Sequence, residues 1–402
     1  MSTFIERDSE CIMQTYGRLP IMVERAEGCR IFDTEGNSYL DFLAGIAVNA
    51  LGHSHPSVVN AVCEQAKKYM HVSNFLYQEP QMKLAEMLQK RAGYGKVFFT
   101  NSGAESMESA LKLARKWGNS RGKTDIYGFS GGFHGRTYGA LSVMDRPKYK
   151  DGMGPFLPNC YVLPFNDSAA LRAAVDNKTC AVVLEFLQGE GGVTLAKKEF
   201  VDTIVELQQQ FEFLIIADEI QAGVGRTGKF FGFQHYDVQP EIITMAKGMG
   251  GGMPLGAILV KSPLCSVWDK GMHGTTYGGN AVACAAGIAV MEELDKGIQE
   301  NVLKTGEYFK NKLYEIKAEF PEIVKEVRGR GLLLGLLLSM EGQPVVNMML
   351  KHKVIANATA VNVLRIVPPL IVHQSDIDEY IAALRICLSE ISVKPESAEL
   401  SA

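Results

Sequence analysis

The sequence predicts an α/β fold: a mostly parallel sheet with helices on both faces, beside a smaller domain built from the two chain ends. Two observations carry this. Short apolar runs recur through the middle of the chain, at Val97–Thr100 (VFFT), Ile126–Ser130 (IYGFS), Thr179–Glu185 (TCAVVLE), Phe213–Asp218 (FLIIAD) and Glu241–Ala246 (EIITMA). Apolar and polar residues do not alternate within them, so each reads as a strand buried on both faces. Helical patterns separate several of these runs. Met107, Ala110, Leu111 and Ala114 follow i, i+3, i+4, i+7 spacing, and a second helical stretch, 197–210, precedes FLIIAD. Strands alternating with helices build parallel sheets.

The ends read differently. Residues 22–48 hold short alternating strands around a turn at Glu35-Gly36-Asn37. Beyond 296 come amphipathic helices, a strand and turn over Val327–Leu338, and a last helix near Asp376–Ile391. The expected organisation is 1–70 as the N-terminal segment of a small domain, 71–295 as the large domain, and 296–402 as the C-terminal part of the small one. The final VKPESAELSA reads as a frayed end.

Composition narrows the function. The 402 residues suggest two or three domains at about 150 residues each. Lys plus Arg is 41 and Asp plus Glu is 45, a net charge of −4, which argues against a nucleic-acid partner. With 47% hydrophobic and 21% charged residues the chain is too apolar to be disordered. None of the eight cysteines forms a Cys-x-x-Cys pair, so no zinc knuckle or dithiol motif is written here. No apolar run approaches the ~18 residues of a membrane span. The acidic start, MSTFIERDSE, resembles neither a secretory signal nor a transit peptide. A cytoplasmic protein without metal is expected.

Three motifs read as decoys. Gly223-Val-Gly-Arg-Thr-Gly228 fits G-x-G-x-x-G, but it starts five residues past its strand and no small-residue helix follows. Gly128-Phe-Ser-Gly-Gly132 fits the nucleophile elbow, with His273 and His352 downstream as bases. It keeps open a serine hydrolase acting through Ser130. His53-x-His55 offers half a metal site, without a third ligand at helical spacing, and reads better as a turn.

Ligands of open α/β sheets bind beyond the carboxyl ends of the strands. At one such end, Ser102, Gly103 and Ala104 open an amphipathic helix. Its exposed N–H groups suit a phosphate, although a bare Ser N-cap fits equally well. At another, Lys247 faces Gly-Met-Gly-Gly-Gly, where a partly desolvated amine is a candidate Schiff-base former. Asp218 ends a neighbouring strand. A buried acid there needs a cationic partner, which a protonated pyridine nitrogen would provide. Arg136 and Arg365 are available to carboxylates. A phosphate cup, a buried acid and a lysine in a glycine loop together fit pyridoxal 5′-phosphate (PLP).

On these residues the chain resembles the class III (ω-amino acid) aminotransferases of fold type I. The resemblance runs from DFLAGIAVNALGHSHP through NSGAES, FHGRT, QGEGG and IIADEIQAGVGRTGKF to MAKGMGGGMPLGA, HGTTYGGN, VRGRGLLLG and LRIVPPL. It implies a seven-stranded, mostly parallel sheet in the large domain. It implies that Lys247 carries PLP and moves the substrate proton, and that Asp218 pairs with the ring nitrogen. By the same resemblance Gln221 lies near the phenolic oxygen, Ile220 and Phe133 cover the two ring faces, and Ser102, Gly103 and Ala104 take the phosphate. Thr276 would reach the phosphate of a neighbouring subunit, which implies a homodimer with shared sites, and Thr275 would lie near the substrate. Arg136 would hold the far carboxylate of an ω-amino donor, and Arg365 the α-carboxylate of 2-oxoglutarate. Glu190 would cover Arg365 when that carboxylate is absent. Two departures stand beside these residues: Glu185-Phe186 where the family has Glu-Pro, and Ser-Met-Glu-Ser after NSGAE. The pattern favours N2-acetylornithine as donor and leaves ornithine, succinylated analogues and 4-aminobutyrate open.

Overall fold

A computed structural model describes residues 2–393. The expectation of a frayed end beyond Val393 lies outside them. The strands, in chain order, are β1 (Val23–Glu27), β2 (Arg30–Asp33), β3 (Ser38–Asp41), β4 (Lys96–Thr100), β5 (Asp125–Phe129), β6 (Cys160–Leu163), β7 (Thr179–Leu184), β8 (Leu187–Gln188), β9 (Thr194–Leu195), β10 (Leu214–Asp218), β11 (Ile242–Met245), β12 (Gly256–Val260), β13 (Val324–Arg330), β14 (Leu333–Leu338), β15 (Val354–Ile355), β16 (Asn357–Thr359) and β17 (Val363–Ile366).

Seven of them form the main sheet in the order β4-β12-β11-β10-β7-β5-β6. All its pairings are parallel except those of β12, which runs antiparallel to β4 and β11. Every residue of β7, β10, β11 and β12 is buried. Cutting one of these side chains back, as in Ile216→Ala, removes packing worth about 2–5 kcal/mol.

The five apolar runs read as strands all lie in this sheet. Two of its members, β6 and β12, carried no such reading. β6 is an edge strand that stays largely half-exposed, so its sequence is not a buried run. β12 begins with a glycine and follows three more and a proline, which mask a strand signal. Helix Gly103–Asn119 buries Met107, Ala110, Leu111 and Ala114, the stripe that its periodicity predicts.

The terminal segments meet in a second sheet, β1-β2-β3-β15, where β15 runs parallel to β3. A third sheet, β13-β14-β17-β16, is wholly C-terminal. It packs Leu333, Val363 and Val367 against Ala47 of the N-terminal segment and Ala222 from the loop after β10. No helix among the described residues is long and apolar enough to cross a membrane.

One irregular piece completes the site's surroundings. After β3, Ala44, Gly45, Ile46 and Ala47 all adopt left-handed backbone, with φ of 49°, 63°, 62° and 62°. Each non-glycine residue there costs roughly 1–2 kcal/mol. Asp41 holds the turn by accepting the N–H groups of Leu43 (2.9 Å) and Ala44 (3.0 Å). His53 Nε2 lies 2.7 Å from the other Asp41 oxygen, so His53 is a turn residue bonded to a carboxylate. The turn delivers Val48 to the wall of the cavity described next.

Candidate active site

The carboxyl ends of the sheet strands open on a cavity of about 440 Å³. Of the residues singled out from sequence, Ser102, Gly103, Ala104, Phe133, Arg136, Glu190, Asp218, Ile220, Gln221 and Lys247 line it. Arg365 stands just behind Glu190 and Gln221.

Helix Gly103–Asn119 starts at the cavity, and Ser102 caps it by accepting the N–H of Glu105 (3.2 Å). A Cβ on Gly103 would lie 2.8 Å from Ile220 Cδ1, so only glycine lets the helix start come this close. The result is an N-terminal dipole with free N–H groups facing a void, the arrangement that binds a phosphate.

Asp218 ends β10 and is buried. The sequence suggested a bound ring nitrogen as its cationic partner; within the chain, a histidine also bonds to it. His134 Nδ1 lies 2.7 Å from Asp218 Oδ2, with both side chains buried. Burial pushes the imidazole toward neutrality, but the bond and charge of Asp218, with the charge of Glu185, hold its pKa above the ordinary value. Glu185, past the end of β7, accepts the N–H groups of Phe133 (3.0 Å) and Gly189 (3.3 Å). Burial, and then the charge of Asp218, push its carboxyl up to about 7. Neither His134 nor Glu185 was read as a site residue. His134 sits inside FHGRT, but it lies 84 residues from Asp218, and no spacing rule joins them.

Lys247 follows β11 by two residues and holds left-handed backbone (φ 45°). Part of its side chain faces the cavity. Loss of water around the amine, and then the charge of Arg365, push its pKa down to about 8, against the pull of Glu190, Asp218 and Glu185. Arg365, on β17, is one of the largest fully buried side chains. Its Nη1 donates to Glu190 and to Gln221 Oε1 (3.2 Å), and its Nη2 to Asn357 Oδ1 (2.6 Å). Its Nε has no partner among the described residues. Burial raises the pKa of Glu190, but the charge and hydrogen bond of Arg365 overcome this and leave it lowered. Arg136 differs: it is exposed, stacks on the Tyr149 ring at 3.9 Å, and has no salt bridge among the described residues.

Thr275 and Thr276 do not join this group. Thr275 Oγ1 accepts from Asn101 (3.0 Å), and Thr276 is exposed. The hydrolase alternative fails on geometry. Ser130 accepts the N–H of Phe165 (3.0 Å), and no helix follows the strand. His273 is engaged with Ser109 and Lys112, and His352 lies 3.9 Å from Glu390, so no base attends Ser130.

Comparison with known proteins decides the family. The profile described as "Aminotransferase class-III" matches residues 12–388. The chain belongs to the class III aminotransferases. A similar aminotransferase is the acetylornithine aminotransferase of Caldanaerobacter subterraneus, 46% identical over 96% of this chain and 99% of that protein. Its counterpart from Methanocaldococcus jannaschii is 42% identical over 96% and 98%. Among solved structures, an acetylornithine aminotransferase from Elizabethkingia anophelis superposes with a TM-score of 0.87 at 31% identity, covering 97% and 99%. The ornithine aminotransferase of Toxoplasma gondii, with PLP partly occupying its active site, gives 0.93 at 30% identity, covering 97% and 94%.

Class III aminotransferases are PLP-dependent enzymes, and the residues present here fit that cofactor. The helix start at Gly103 suits its phosphate, buried Asp218 suits a protonated ring nitrogen, and the weakly basic Lys247 suits its aldehyde.

Proposed function

We propose that this aminotransferase moves the terminal amino group of N2-acetyl-L-ornithine to 2-oxoglutarate, giving N-acetylglutamate 5-semialdehyde and glutamate, a step of arginine biosynthesis. The observation that carries the reading is the unequal state of its two arginines. Arg136 is uncovered at the cavity, while Arg365 is buried and already neutralised by Glu190. A donor with a carboxylate at one end and a bare amine at the other needs only Arg136. A 2-oxoglutarate molecule carries two carboxylates and needs both, so Glu190 must yield Arg365 to it. The names of the similar proteins favour the acetylated donor.

PLP, when bound, supplies an aldehyde and an electron-withdrawing ring. Lys247 would hold it covalently, and its free amine would be the group that takes the proton from the substrate carbon and returns it, as general base and acid. Asp218, bonded to His134, would keep the ring nitrogen protonated. Gln221 would serve the phenolic oxygen, Ile220 and Phe133 would confine the ring, and Ser102, Gly103 and Ala104 would hold the phosphate. Thr275 and Thr276 complete the site across a homodimer, Thr276 serving the partner's phosphate. Phe75 and Tyr77, 97% and 102% exposed, follow Asn74, which donates to Thr275 O and Gly278 O. The exposure of this apolar loop supports that reading, since a second copy would cover it. The free cysteines fit a cytoplasmic setting.

The donor is tested by comparing kcat/KM for N2-acetylornithine, ornithine, succinylornithine and 4-aminobutyrate. N2-acetylornithine is expected to exceed ornithine by about 10-fold or more, ~1.4 kcal/mol of selectivity; ornithine leading would overturn the donor assignment. Glu190→Ala uncovers Arg365, so the ratio of half-reaction rates should swing toward glutamate by about 10-fold or more. Equal rates before and after would sink the switch. A third expectation concerns pH. Only the neutral amine of Lys247 attacks an aldehyde, so PLP uptake by the apoprotein, followed by visible absorbance, should accelerate as pH rises through about 8. A flat profile between pH 6.5 and 9 contradicts it.

A further inference from the structure

The glycine motif Gly223–Gly228 has no part in the chemistry above, yet it encloses an unusual residue. Val224, Gly225 and Gly228 take left-handed backbone (φ 58°, 83° and 89°), and between them Arg226 is 2% exposed. No carboxylate pairs with it among the described residues, and burial alone pushes its guanidinium down to about 9. A buried, unpaired cation is costly, so its hydrogen bonds must have a use.

Those bonds reach the C-terminal sheet. Arg226 Nη1 donates to Leu332 O (3.1 Å) and to Pro368 O, and the Arg226 carbonyl accepts the N–H of Leu332 (3.0 Å). Leu332 immediately precedes β14, and Pro368 lies two residues beyond β17. These two strands pair, with Gly335 opposite Arg365. One guanidinium therefore ties together the adjoining ends of β14 and of β17, the strand that carries Arg365. It does so from the same loop that supplies Gln221, another partner of Arg365. The approach is close: a Cβ on Gly331 would lie 2.6 Å from the Arg226 carbonyl.

We propose that Arg226 is a positioning residue for Arg365, fixing the C-terminal sheet to the loop after β10 so that Arg365 can exchange Glu190 for an incoming carboxylate. This rests on the function proposed above. An arginine suits the task because Nη1 carries two N–H groups held in the rigid guanidinium plane, one for each carbonyl, whereas a lysine amine rotates freely on a flexible stem. It bears on the dicarboxylate half-reaction alone, because the donor is held by Arg136.

The test uses Arg226→Met and Arg226→Lys holoenzymes. Two quantities are measured: the Kd of glutarate, a dicarboxylate that cannot react, by calorimetry, and the single-turnover rate with N2-acetylornithine. Thermal melting checks the fold. The Met variant should bind glutarate about 10-fold more weakly and the Lys variant about 3-fold, with the donor rate within about 2-fold of wild type. Unchanged glutarate affinity in both variants overturns the proposal, since the apolar seam around Ala222 would then suffice. An equal loss in both measurements overturns it too, reducing Arg226 to a general support. If the Met variant does not fold, the Lys variant carries the same comparison. Wild-type enzyme that binds glutarate but ignores N2-acetylornithine contradicts the donor assignment and leaves this coupling standing.

Discussion

Lys247→Ala should lower the transamination rate by about 10³-fold or more, because one change removes both the covalent anchor and the group that moves the substrate proton. The proton is the decisive part. No other base is placed where Lys247 stands. Among the carboxyls near the cavity, Glu190 is held by Arg365, and Asp218 is paired with His134. Glu185 is fixed by two backbone N–H groups. A second readout does not depend on turnover. Borohydride treatment of the PLP-loaded wild type should add the cofactor's mass permanently to the peptide containing Lys247, and the alanine variant should show no such addition. Turnover surviving at wild-type level, or labelling of a different lysine, would refute the assignment.

Asp218→Asn is the second large effect. The substitution keeps size and hydrogen bonding and deletes a buried negative charge. Breaking a buried pair in this way costs about 3–5 kcal/mol, and each ~1.4 kcal/mol that appears in the transition state slows the reaction tenfold, so a loss of about 10²-fold or more is expected. The sign on His134 follows from the causes of its shift. With the carboxylate gone, burial, the largest cause, favours the neutral ring and is opposed only by the smaller effect of Glu185. The imidazole pKa should therefore move from above its ordinary value to below it, as read by NMR titration of the labelled histidine. A rate within about threefold of wild type, with His134 titrating as before, would contradict the role given to this acid.

Much of the fold was legible because β5, β7, β10 and β11 are almost wholly buried runs, and burial on both faces writes itself into composition; β4 is half-buried at Val97 and Phe98 but keeps an apolar run. β6 and β12 escaped for different reasons, one too exposed at its edge and the other too embedded in glycine. The site was legible where one local signal sufficed. A strand end followed by glycines flagged Lys247, and a helix start of small residues flagged Ser102, Gly103 and Ala104. It was illegible where the chemistry depends on distant partners. His134 looked like a neighbour of Phe133, and nothing in its surroundings announces Asp218. Asn357 gives no sign of gripping Arg365 across the third sheet. The left-handed run at Ala44–Ala47 runs against every local preference except that of Gly45, so only the packed structure reveals it.

The pairing of β3 with β15 sets the order in which this protein can be completed during synthesis. Leu40 and Phe42 donate to the carbonyls of Lys353 and Ile355, and the contact between Tyr39 and Lys353 closes a separation of 314 residues. A ribosome emits the first partner long before the second. Every strand of the main sheet lies ahead of Lys353, so that sheet can assemble on the nascent chain while the segment bearing Val48 still lacks its mate. The wall at Val48 can thus be closed only after every strand of the main sheet has been made, and a chain released before Ile355 emerges would hold those strands without it.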